Sequence, residues 1–357
     1  MSWVLTVAGF ATLIILHEFG HFATAKAVGM RVERFSLFFG PMVAKVRRGE
    51  TVYGIGVIPL GGYVKITGMN PNEDIPPDVR PRAYYLQPVW KRIVVILAGP
   101  VMNVILAFLI LWGLYMIGGT PKATSRVDKQ GLEPPASQVL RPGDEIVSVD
   151  GRRGSLTALS KQISSHHCAG TPRPGCEAIT PVRLVVRRAG RLLTLTVRPR
   201  YDPQFKRTRI GFAFGVRWQR AGPLHAADLS VTAMWGVTRA TFSALARIFD
   251  AKQRKQISSV VGASKVTQES FNHDTRQAFV VLAIISLSLA IINLFPFLPL
   301  DGGHVFWALA EKVRGRPIPF EVLERASVVG FMLVILLFFI GLSNDIDRLR
   351  GEGFRVR

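Results

Sequence analysis

The sequence predicts a polytopic α-helical membrane protein of about four transmembrane helices, with a small membrane-associated β-element and one extracytoplasmic α+β domain. Three observations predict it. Of 357 residues, 48% are hydrophobic, and they gather in four long runs instead of spreading through one soluble core. An alternating, glycine-rich stretch separates the first two runs. Between the second and third, the pattern changes to short strands and turns.

The four runs are Trp3 to about Ala25, Ile93 to Ile117, Ala278 to about Leu298, and Ala326 to Leu342. Each reads as a transmembrane helix; the last, about 17 residues, sits at the lower limit for crossing roughly 30 Å of hydrocarbon. The first lacks a basic leading region and a small-residue cleavage site, and it holds His17, Glu18 and His21, which an export signal does not need. It reads as a retained span.

Lys and Arg near span ends favour the cytoplasm. The stretch from Arg31 to Arg92 is rich in them, whereas neither Ser2 nor Trp3, at the start of the first run, carries a charge, so the N-terminus is expected outside. The connection carrying Lys312, Arg314, Arg316 and Arg325 then falls inside. Thr120 to Arg276 must lie outside; it holds 26 Lys and Arg against 11 Asp and Glu, a net +15, but long translocated segments do not obey the charge bias. Such a surface either leans on anionic headgroups or is simply solvated. The formal charge of +21 brings no recognition helix, zinc-finger spacing or RNA-binding motif with it, so nucleic acid is not the expected partner.

The chain therefore divides into residues 1–119, with helices 1 and 2 and a cytoplasmic-side β-element at about 32–66; 120–222, the outer α+β domain; 223–275, an amphipathic helical connector; and 276–357, with helices 3 and 4. In the outer domain, Pro142 to Asp144 and Asp150-Gly151 mark turns around Ile146 to Val149, and Val182 to Val186 and Leu192 to Val197 alternate about an Arg-Ala-Gly-Arg turn, a hairpin pattern. LRPGDEIVSVDG, followed by a helix-like stretch and this hairpin, resembles a bacterial PDZ domain. The resemblance implies capture of an extended peptide on a sheet edge; a steric plug or spacer is the other reading. The connector, with Leu229, Trp235, Phe242 and Ile248 against Arg239, Arg247, Lys252 and Arg254, either lies along the outer membrane surface or packs as a plain joining helix. Cys168 and Cys176, the two cysteines, form either a local disulfide or two free thiols; with no others, a metal must rest on histidines and carboxylates.

The chemistry centres on HEFGH, His17 to His21. Histidines at i and i+4 share one helix face, so both imidazoles reach one tetrahedral ion, and Glu18 is placed to take a proton from a water held there. Ionisable groups at membrane depth cost on the order of 2.5–3.5 kcal/mol each, and a metal is the natural compensating partner; hydrogen bonds between packed helices are the alternative. A catalytic zinc takes three protein ligands and leaves one position open. Asp301 is the best third ligand, because NLFPFLPLDGGH interrupts the third helix with Pro296 and Pro299 and allows close approach at its glycines. His21 stands five residues, about 7.5 Å of rise, before Lys26, and the third helix runs inward, so both ligand sets approach the cytoplasmic side. His304 reads as a neighbouring support, since a fourth protein ligand would close the open position.

HEFGH in the first span, a PDZ-like insertion and NLFPFLPLDGG in a later span resemble the bacterial site-2 protease family of intramembrane metalloproteases, over most of the chain. The resemblance implies one Zn2+ per chain held by His17, His21 and Asp301, with Glu18 as catalytic base. It implies single-span membrane proteins as substrates, such as anti-sigma factors first trimmed by another protease, and a place in the bacterial cytoplasmic membrane. Where some relatives have two PDZ-like modules, this chain shows one. Tyr53 to Ile66, YGIGVIPLGGYVKI, looks like the family's membrane-associated β-element, with Gly54, Gly56, Gly61 and Gly62 as candidate substrate-contacting positions; a hairpin that only caps the bundle is the plainer reading. Asn103, in AGPVMN, and Asn293 are candidate partners for substrate backbone or oxyanion, or else for a neighbouring helix. The rival function is a catalytically silent scaffold that binds partner tails through its PDZ-like domain. A metal transporter would need more polar groups along a continuous path.

Overall fold

The computed structural model describes residues 1–70, 73–128, 132–247, 250 and 258–351. In chain order the helices are α1 Ser2–Ala27, α2 Val89–Gly118, α3 Leu156–Ser164, α4 Pro223–Ala246, α5 Val260–His273, α6 Thr275–Asn293, α7 Asp301–Arg314 and α8 Phe320–Arg350. The strands are β1 Val32–Arg48, β2 Thr51–Ile66, β3 Thr120–Val127, β4 Glu145–Val149, β5 Val182–Arg188, β6 Arg191–Val197, β7 Arg200–Asp202, β8 Arg207–Arg209 and β9 Phe214–Gln219. Two compact units divide the chain, Met1–Met116 with Gly222–Arg357, and Ile117–Ala221.

In the first unit, α1, α2, α6 and α8 are long and apolar enough to cross a membrane. On α8, Val329, Met332, Leu336 and Phe339 are all more than half exposed, while Gly330, Gly341 and Asp345 are buried. Apolar side chains outside with small and polar ones inside suit a hydrocarbon surround. The third span ends at Asn293, short of Leu298, because Pro296 and Pro299 cannot continue the helical ladder, and the chain restarts as α7 at Asp301. Conversely α8 has 31 residues, reaching past its apolar run into polar flanks that helical hydrogen bonding carries at no hydrophobic gain. Asp345 ties its far end to the start of α5, accepting from Ser258 Oγ, Ser259 N, Ser259 Oγ and Gly262 N at 2.8, 2.7, 2.7 and 2.9 Å. A carboxylate there satisfies the free N–H groups of a helix start. The connector forms α4 and α5; Ile248, Lys252 and Arg254 lie outside the described residues.

The β1–β2 hairpin folds back on itself. Arg34 to Leu37 pair with Val52 to Ile55 on one side and with Gly62 to Lys65 on the other, and Ala44 to Arg48 add a further run against Thr51 to Ile55. Positive φ at Phe38 (70°), Gly40 (86°) and Gly61 (120°) makes the bends. Residues 62–66 are thus an outer run, and among the described residues no other strand pairs with them.

The second unit is an antiparallel sheet in the order β6-β5-β4-β3-β9, with β7–β8 as a separate pair. Alternation buries Val182, Leu184 and Val186 from β5 and Ile146 from β4 against Leu159 and Ile163 of α3. The turn at Ala189 (φ 47°) and Gly190 (φ 81°) has the left-handed pair that matches strand twist in a two-residue hairpin, as does Asp150 (φ 49°) with Gly151 (φ 79°). Asp144 is buried and held by Arg188 and the N–H of Arg141. Cys168 and Cys176 form a disulfide.

Candidate metal centre

Helix α1 sets His17 and His21 one turn apart, both buried, with Nε2 atoms 3.3 Å from each other. Asp301, in the first turn of α7, brings Oδ2 to 3.3 Å from His17 Nε2 and 3.4 Å from His21 Nε2. Among the described residues these three form the only cluster of histidine, cysteine and carboxylate groups able to share an ion.

The spacing tests whether zinc fits. Four ligands at about 2.0–2.1 Å in a tetrahedron stand about 3.3 Å from one another. All three measured separations match. Among the described residues Oδ2 of Asp301 has no hydrogen-bond partner, although it is buried. Converging lone pairs without a proton between them repel, and a cation removes that repulsion.

Small residues admit these groups. A β-carbon at Gly99 of α2 would overlap His21 Nε2, and one at Gly20 would run into the carbonyl of Ala98, so α1 and α2 meet backbone to backbone at this level. Gly303 does the same for α7: a β-carbon there would lie 2.5 Å from Leu298 N. His21 Nδ1 donates to the carbonyl of Val95 at 2.9 Å, which orients the ring. Arg92 of α2 binds Glu311 of α7 through two bonds of 3.0 and 2.8 Å, holding the helix that carries Asp301 against the helix that supports His21.

The other candidate residues separate. Glu18 is half-buried, and Gly62 on the outer β-run passes directly against it. Gly54 and Gly56 lie instead on an inner run, where β-carbons would meet Ala44 O at 2.9 Å and Phe38 O at 2.7 Å, so their α-carbons face their own hairpin. Asn293, the last residue of α6, places Nδ2 3.4 Å from His17 Nε2. Asn103 is fully buried, its Nδ2 3.2 Å from His17 Nδ1. His304 lies one turn along α7 from Asp301 and is not part of the ion-sharing cluster.

Sequence reasoning missed the Val95 carbonyl, Gly99 and the Arg92–Glu311 pair. A backbone acceptor leaves no mark on residue type. Gly99 does carry a signal, a glycine inside a long apolar helix.

Residues 5–337 match the model of peptidase family M50. The zinc metalloprotease Rip1 of Mycobacterium tuberculosis is 32% identical over 409 aligned positions, covering 97% of this chain and 98% of that protein. A putative zinc metalloprotease of Nostoc is also 32% identical, covering 94% of this chain and 93% of that protein. One from Brucella suis is 28% identical, at 96% and 93%. With a donor set spaced for zinc and four helices able to cross a bilayer, this chain belongs to peptidase family M50, the site-2 protease family, and is a multi-pass membrane zinc metalloendopeptidase.

Proposed function

We propose that the enzyme cuts peptide bonds of single-span membrane proteins within or beside the bilayer, as the second cut of regulated intramembrane proteolysis. Its substrate class is then anti-sigma factors and similar proteins already trimmed by another protease. The carrying observation is that the His17, His21 and Asp301 donors converge to 3.3–3.4 Å, with both histidines on a helix apolar enough to span a membrane and Asp301 at the start of α7.

His17, His21 and Asp301 hold the zinc. Once bound, zinc acidifies water toward a pKa of about 7 and polarises the scissile carbonyl. The Glu18 carboxylate takes the proton of the attacking water and returns it to the departing nitrogen. A helical substrate must unwind before its carbonyl is reachable. The outer run 62–66, beside Glu18, holds the opened segment by strand addition, and the Asn293 amide donates to substrate or oxyanion oxygen. The enzyme sits in the bacterial cytoplasmic membrane, N-terminus outside and active site toward the cytoplasm; the basic stretch from Arg31 to Arg92 supports that orientation. Residues 120–222 act outside as a PDZ-like module receiving a substrate or partner tail. The position of β9 at a sheet edge, and a groove lined by Ile163, Ile210, Phe212 and Phe214, support this role.

The test is cleavage of a single-span substrate by the reconstituted protein. Glu18→Gln is expected to lower the rate about 10²–10⁴-fold, and an unchanged rate would refute the mechanism. Membrane-impermeant labelling of cysteines introduced singly at exposed positions tests the orientation. Label is expected in residues 120–222 and not in 31–92; the reverse pattern overturns it.

A further inference from the structure

We propose that Asn103 is a positioning residue for the metal centre: its Oδ1 accepts the Nδ1–H of His17 and keeps Nε2 of that ring bare toward the cation. The inference rests on the reading of His17, His21 and Asp301 as the zinc ligands.

Asn103 is 0% exposed. Its backbone carbonyl accepts from Ser286 Oγ at 2.9 Å, which pins this turn of α2 against α6. Its side-chain amide lies against His17 Nδ1, with Nδ2 at 3.2 Å, while among the described residues Oδ1 has no hydrogen-bond partner. With Nδ2 donating to Nδ1, the proton of a neutral His17 would sit on Nε2. That nitrogen stands 3.3 Å from both His21 Nε2 and Asp301 Oδ2, and a proton there would fill the lone pair a metal requires. A half-turn of the amide about Cβ–Cγ exchanges nitrogen and oxygen with almost no change of shape. It provides an acceptor for Nδ1–H and a partner for the orphaned oxygen in one movement.

His21 supplies the internal comparison. Its Nδ1 faces the Val95 carbonyl, which can only accept, so its Nε2 is necessarily the bare nitrogen. Both rings are therefore oriented by α2, one through a backbone oxygen and the other through a side-chain oxygen two turns further along the helix. Outer hydrogen bonds of this kind set ring tautomer and ligand basicity in zinc sites.

The test measures zinc affinity of the full-length protein in detergent by chelator competition, alongside kcat and KM on a peptide. Asn103→Asp accepts but cannot donate, and it is expected to hold zinc within about threefold of the unaltered protein. Asn103→Leu removes the acceptor at similar size and is expected to weaken zinc about 10–100-fold, with kcat falling more than KM changes. Undiminished affinity in Asn103→Leu, or Asn103→Asp falling as far as Asn103→Leu, overturns the proposal. Should Asn103→Leu not fold, nitrogen-15 shifts of the histidine rings in the unaltered zinc-free protein decide: a proton on His17 Nδ1 supports it, and one on Nε2 overturns it. Stoichiometric zinc retained by His17→Ala would instead refute the ligand assignment, and the proposal with it.

Discussion

Gly62 of β2 crosses Glu18 of α1 so closely that a β-carbon at position 62 would stand 2.8 Å from Glu18 Cγ and 3.0 Å from the carbonyl oxygen of Ser36. The contact couples the outer β-run to the proposed base with no side chain between them. Gly62→Ala must therefore displace either the hairpin or the carboxylate. Displacements near 1 Å cost about 10²-fold in rate. We expect kcat to fall about 10–100-fold with zinc content unchanged. Steady-state kinetics beside metal analysis checks this, and a variant with native kcat would refute the coupling.

Gly99 stands in the same relation to His21, a proposed metal ligand. A β-carbon there would lie 2.6 Å from His21 Cε1 and 2.8 Å from Cδ2, within the space of the ring. Gly99→Ala is expected to swing His21 away from the Val95 carbonyl and weaken zinc binding at least about tenfold. Chelator competition measures it; affinity equal to the unaltered protein would mean that α1 and α2 separate without cost.

The Arg92–Glu311 pair has side chains only 9% and 23% exposed. Removing one partner leaves a largely buried charge uncompensated, so Arg92→Met or Glu311→Met alone should cost about 3–5 kcal/mol. Arg92→Met with Glu311→Met leaves neither charge behind and should recover most of that loss. Denaturant unfolding in detergent across the four proteins measures the coupling. Simple additivity of the two losses would show that the pair does not act as a unit.

Asp144 predicts an acid dependence. Burial alone would raise its carboxyl pKa, but the two Arg188 bonds at 2.8 and 2.7 Å and the N–H of Arg141 hold it below the ordinary carboxylate value. The folded chain binds this proton less readily than the unfolded one. The stabilisation is thus complete above the unfolded value, about pH 4, and is lost as pH falls through the lower folded value. Asp144→Asn should cost about 2–3 kcal/mol at pH 6 and converge with the unaltered protein near pH 2. Hydrogen-exchange protection of Val149, Val182 and Val186, corrected for intrinsic rates, reports it. A gap that stays constant from pH 6 to pH 2 would remove the linkage.

The spans were legible as unbroken apolar runs, and their ends were legible only where a residue forces them. Pro296 and Pro299 cannot donate to a helical ladder, so the break before Asp301 is a local property. The far end of α8 is not: Asp345 looks like part of an outer tail until the N–H groups at the start of α5 are seen to close on it. The hairpin shows the same division. Its alternation marked strands, whereas the double pairing of Arg34 to Leu37, which turns residues 62–66 outward and 54–56 inward, depends on bends at Phe38, Gly40 and Gly61 acting together.

By itself, the order of residues determined that His17 and His21 share a helix face, that Glu18 follows the first of them, and that Asp301 follows a proline break. Spacing along one element suffices for each of these, since 3.6 residues per turn and the missing proline N–H act locally. Only the tertiary structure decided which backbone stands opposite. It brought the Val95 carbonyl to His21, the Asn103 amide to His17 and Gly62 to Glu18, because helix and strand packing distances are set by the bulk of every side chain in the contact, and here the glycines bring the chains together.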